Sequence, residues 1–210
     1  MNVSHPMSDV IPSSEGLVLT VLVGADGGLS ARAIAELTNE TISHVQAAKV
    51  LKRLSLAGIV VEESRPPALI FRLNHQHVAA NAIVLLASLR SALLQRIRDW
   101  IDLSAISPEA VWVFGSFARG DGGPGSDIDL LVMRPASTGD DDQMWNQQLA
   151  ELAASVHQWS GNPCNLVEYT LDEFNGLISA GEQLPSDLAR EGIRVAGIDI
   201  PRVAIRKAQS

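Results

Sequence analysis

The strongest constraint on this chain is a fixed spacing: Gly115-Ser116, then ten residues, then Asp127-Ile128-Asp129, with the acid pair set into an apolar run. Val111-Trp112-Val113-Phe114 is short and continuously apolar, the pattern of a buried strand. Gly115 ends it with a turn that a residue lacking Cβ makes at little steric cost. Ser116 is then predicted to open a helix, whose free N–H groups and positive dipole end favour a phosphate. In the strand that follows, running into Leu130-Leu131-Val132, Asp127 and Asp129 lie two apart, so both carboxylates project from one face. Acids are scarce in buried strands, and two side by side repel unless a cation neutralises them. Mg²⁺, which bridges carboxylates and substrate phosphates, suits such a pair.

These residues, with Ala118-Arg119-Gly120 and Ser126-Asp127-Ile128-Asp129 between and around them, resemble the nucleotidyltransferase superfamily of DNA polymerase β. The likeness is greatest to its minimal bacterial members and spans roughly Pro108 to Ile200. It implies that Gly115, Ser116, Arg119 and Ser126 hold a nucleoside triphosphate, ATP as the first choice. It also implies that Asp127 and Asp129 are the catalytic, metal-binding carboxylates for Mg²⁺ (or Mn²⁺), serving transfer of a nucleoside monophosphate to an acceptor hydroxyl. Arg119 reads equally well as a surface ion-pair residue.

One departure matters. The family supplies a third carboxylate from a later strand, here expected in Gly161-Asn162-Pro163-Cys164-Asn165-Leu166-Val167-Glu168-Tyr169, and by analogy it falls at Asn165. An amide offers a carbonyl oxygen but no charge, and it cannot take a proton. Glu168 is an odd number of residues away and faces the other side unless a bulge brings it round. The chemistry implied is therefore better matched to holding a triphosphate than to activating an acceptor.

The first half of the chain has another character. Leu17 to Val23 reads as a helix, Ser30 caps a second one carrying Ala33, Ile34 and Leu37, and a third runs through Leu56. On the third helix Ile42, Val45, Ala48, Leu51 and Leu54 are predicted to face the core. Ile59 to Glu63 and Ala68 to Asn74 read as a hairpin. Ile34-Ala35-Glu36-Leu37, Val50-Leu51-Lys52-Arg53-Leu54, Ala57-Gly58-Ile59-Val60 and Phe71-Arg72-Leu73-Asn74, in that order, resemble a winged helix-turn-helix of small bacterial regulators. That resemblance implies DNA contact through Ser43, Gln46, Lys49 and Arg53 on the third helix and Arg65 at the hairpin tip. The same residues suit a solvated face, and such domains also serve in protein interaction.

The expected organisation is α+β: a tail over 1–14, a winged helix over 15–77, a long linker helix over 78–104, a mixed-sheet nucleotidyltransferase domain over 105–200 and a tail over 201–210. Along the linker Ile83, Leu86, Leu89, Leu93 and Ile97 recur at near-helical spacing, a stripe fit for burial against either domain or for pairing in a homodimer. The Asp140-Asp141-Asp142 run reads as a helix start rather than a ligand cluster. Net charge is −8, and residues 78–210 hold ten basic against seventeen acidic side chains, which disfavours general nucleic-acid binding and confines any DNA contact to a local basic face. No apolar run reaches the length of about eighteen residues that a membrane span needs. With no signal-like start and a single Cys164, a reducing cytoplasm is expected. The alternatives to an enzyme are a DNA-binding regulator with a degenerate nucleotidyltransferase domain, or an antitoxin-like protein whose partner is a toxin or the acceptor itself.

Overall fold

The structure is a computed structural model that describes residues 1–2, 5–39, 41–123 and 125–199. Ile200 and the expected tail over 201–210 lie outside the described residues. The chain separates into two compact units, His5–Arg90 and a second formed by Ser91 onward with the first residues of the chain.

In the second unit, β3 (Ala110–Phe114), β4 (Ile128–Met133), β5 (Cys164–Tyr169) and β6 (Ile193–Gly197) form a mixed sheet in the order β5-β4-β3-β6. β3 is antiparallel to β4 and β6, and β4 is parallel to β5. A parallel pair needs a crossover, and α7 (Gln143–Ser160) supplies it. Asp142, last of the acidic run, caps this helix by accepting from the Trp145 N–H, so the helix-start reading holds there. Covered on both faces, β3 and β4 are almost continuously apolar. One face packs Val111, Val113, Leu130 and Val132 on Leu93, Ile97 and Ile101 of α5 (Leu89–Asp102) and on Trp145, Leu152 and Val156 of α7. The opposite face packs Trp112, Leu131 and Met133 on Phe174 of α8 (Leu171–Ala180) and Leu188 of α9 (Gln183–Glu191). Thr170 and Glu173 form a reciprocal capping box at the start of α8. The result is an α+β unit with a mixed sheet, the architecture expected.

The first unit places α1 (Ser14–Val23), α2 (Ala31–Leu37) and α3 (His44–Leu56) before the hairpin β1 (Val60–Arg65) and β2 (Ala68–Leu73), then α4 (Ala80–Ala87). Leu29 makes a bridge to Phe71 of β2. Its core is Val18, Leu22, Ile34, Ala47, Leu51, Leu54, Phe71 and Ile83.

Two expectations fail here for identifiable reasons. On α3 the buried stripe is Ala47, Val50, Leu51 and Leu54, while Val45 and Ala48 are exposed. A strict three-residue repeat drifts round a helix of about 3.6 residues per turn, so Val45 and Leu54, nine apart, end on opposite sides. The single linker helix is in fact α4 and α5, broken at Ser88, whose hydroxyl donates to the Val84 carbonyl at 2.7 Å. The apolar stripe serves two cores: Ile83 belongs to that of the first unit, Leu93 and Ile97 to that of the second. Among the described residues no single helix is long and apolar enough to cross a membrane.

Candidate functional site

β3 ends at Phe114, and Gly115 opens α6 (Gly115–Arg119), a single helical turn, with φ of +66°. Positive φ is cheap only for glycine, and here the side-chain space is also taken. A Cβ on Gly115 would lie 2.3 Å from Asp129 Oδ2. The antiparallel register sets Phe114 opposite Asp129, which brings that carboxylate against the β3–α6 turn. Asp127 stands just before β4 rather than within it, exposed, with Ile128 fully buried between the two acids.

The parallel β4–β5 register sets Asn165 opposite Asp129, the position where sequence analogy expected the third acid. Its Nδ2 donates to Asp127 Oδ2 at 2.9 Å and to Asp129 Oδ1 at 3.3 Å. Both carboxylates therefore converge on one point. Glu168 is elsewhere: no bulge turns it, and Oε2 accepts from Trp145 Nε1 at 2.5 Å on the α7 face, with Arg134 Nε 3.7 Å from Oε1. Cys164 is half-buried near Asp129, and burial first, then that carboxylate, pushes its thiol up to about 12, which leaves it protonated and inert.

Ser116 lies in the α6 turn, half-buried. Arg119 bonds Asp121 Oδ2 at 2.9 Å and Glu191 Oε1 at 2.7 Å, and these bonds raise its pKa above the ordinary guanidinium value. It braces α6 on the end of α9. Ser126 Oγ accepts from the Gly123 N–H at 2.9 Å, and its carbonyl accepts from Asn162 Nδ2 at 2.8 Å. Asn162 is fully buried and ties down the loop leading to Asp127. Sequence reasoning missed both Asn162, which it places within the candidate strand although β5 starts only at Cys164, and Glu191, which meets Arg119 from 72 positions away.

In the first unit, Ser43 is the α3 N-cap, accepting from the Gln46 N–H, and Gln46 Nε2 donates to Ser14 Oγ at 2.5 Å. Arg53 pairs with Glu15 at 2.7 Å and Arg65 with Glu63 at 2.8 Å, while Lys49 is exposed. The Glu15 carboxyl is held below its ordinary value first by the Ser13 hydroxyl, then by its own backbone N–H and Arg53.

Among the described residues no group of three or more His, Cys, Asp or Glu converges on one point. The donor set beside Gly115 is two carboxylates meeting at one amide N–H. Mg²⁺ is commonly held by one or two carboxylates with the rest of its shell from water and phosphate oxygens, so the residues present fit one such ion.

Residues 95–183, which carry this turn, both aspartates and Asn165, match the family model for the nucleotidyltransferase domain. The likeness to that family covers less than half of the chain. No curated protein matches the chain. Among solved structures, a toxin–antitoxin complex with AMP-PNP is 20% identical, with 55% of this chain and 86% of that one covered and a TM-score of 0.38. A MntA–HpeT toxin–antitoxin mutant is 16% identical over the same shares, with a TM-score of 0.37.

Gly115→Ala is expected to cost about 1–3 kcal/mol, because the methyl group must strain the backbone or expel the Asp129 carboxylate. The readout is the denaturant midpoint at unchanged m-value, and wild-type stability in this variant would show that the close approach is not made.

Proposed function

We propose that the nucleotidyltransferase domain binds a nucleoside triphosphate with Mg²⁺, Asp127 and Asp129 holding the ion and the Gly115-Ser116 turn receiving phosphate. The observation that carries this is the convergence of the two carboxylates beside a glycine turn whose side-chain space is already filled. When bound, the cation neutralises phosphate charge and polarises a phosphoryl oxygen. The first-turn N–H groups of α6 supply donors to phosphate oxygens. Arg119 and Asn162 act by holding α6 and the Asp127 loop in place. Calorimetric titration of ATP and the other triphosphates, with and without Mg²⁺, tests it. Micromolar binding that needs both the ion and the two aspartates is expected, lost in Asp127→Ala/Asp129→Ala. Binding of equal strength without Mg²⁺ or in the double variant would refute the reading.

A second reading concerns the first unit. Three helices, a hairpin and the Leu29–Phe71 bridge follow the winged helix-turn-helix order, and α3 presents Lys49 to solvent. In this reading α3 meets a DNA major groove, two-fold operators favour a homodimer, and Arg53 and Arg65 reach phosphates by leaving Glu15 and Glu63. Exposed ion pairs are worth only about 0–1 kcal/mol, so the exchange is cheap. Anisotropy of labelled duplex DNA should show salt-sensitive binding that Lys49→Ala and Arg53→Ala each weaken, with the salt slope falling by about one per lost phosphate contact. Absence of binding at low salt would refute this reading.

A further inference from the structure

The two aspartates of the site are already bridged by the protein itself. One amide nitrogen of Asn165 reaches both, 2.9 Å to Asp127 and 3.3 Å to Asp129. Its place is fixed by the strand register that sets it opposite Asp129. The nearest acid along β5, Glu168, is held on the α7 face by Trp145 and Arg134.

We infer that Asn165 fixes the site at one divalent cation per bound nucleotide, so that the domain retains a metal–triphosphate complex without the second ion that would activate an acceptor hydroxyl. This rests on the nucleotide reading above. The donor set supports it. Two carboxylates, with water and phosphate oxygens, complete the shell of one divalent ion. A second ion, about 3.5–4 Å from the first in two-metal sites, would face a neutral amide instead of a third carboxylate. Turned over, Asn165 could present its carbonyl oxygen as a ligand, which adds a donor but no charge and no base. The amide also explains how the acids tolerate each other before any ion arrives. Its Nδ2 donates to one oxygen of each, which offsets part of their repulsion when the site is empty.

The test is equilibrium dialysis against Mn²⁺ and an α,β-methylene triphosphate, which cannot lose its terminal diphosphate. The metal and nucleotide retained by the full chain are counted. Wild type and Asn165→Ala should retain one ion per nucleotide, and Asn165→Asp should retain two. Melting curves supply a readout independent of nucleotide. Without cation Asn165→Asp should melt below wild type, because three carboxylates then share the site, and Mn²⁺ should raise its melting temperature more than that of wild type. Two ions per nucleotide in wild type overturn the inference, as does a ratio of one in a folded Asn165→Asp that binds nucleotide. If Asn165→Asp does not fold, the wild-type and Asn165→Ala ratios still decide. Retention of nucleotide with two ions leaves the nucleotide reading standing. Retention of no nucleotide by wild type removes both.

Discussion

The site depends on a contact that only glycine permits. Asp129 sits beside the β3–α6 turn because Gly115 adopts a left-handed conformation and has no Cβ to meet the carboxylate. From that contact the rest follows through strand register. Asp129 pairs with Phe114 on one side and Asn165 on the other, so the turn, the acids and the amide are brought together by three neighbouring strands. Buried Ile128, Leu130 and Val132 anchor β4 on the opposite face, which prevents the acids from slipping to the other side of the sheet.

Electrostatics then limits what this arrangement does. Two carboxylates held together are costly unless something positive lies between them, and in this chain an amide fills that place. A neutral donor relieves part of that repulsion and adds no third charge to the pair. Support is spread over distant residues. Arg119 joins α6 to Glu191 at the end of α9, and buried Asn162 grips the carbonyl of Ser126 just before Asp127.

Much of this was legible in the sequence because its signals are local. The apolar strand, the glycine, the two acids at period two, the Asp142 cap and the Thr170/Glu173 box each declare themselves within a few residues. Asn165 was placed by analogy, and the parallel register sets it there. What stayed hidden is non-local or weakly marked. Neither Gly nor Pro announces the break at Ser88, and the third helix turned a different stripe inward than its three-residue repeat suggested. The partners of Arg119 and Arg53 lie on other elements, so the sequence alone could not tell a phosphate ligand from an ion-pair member.

A cation site formed by Asp127 and Asp129 beside Gly115 can be located with Mn²⁺ in solution. Substoichiometric Mn²⁺ added to isotope-labelled protein broadens NMR signals according to their distance from the ion. The amides of Gly115, Ser116, Ile128 and Asn165 should broaden first. Broadening centred on Asp140 to Asp142, or spread evenly over the acidic surface, would contradict it.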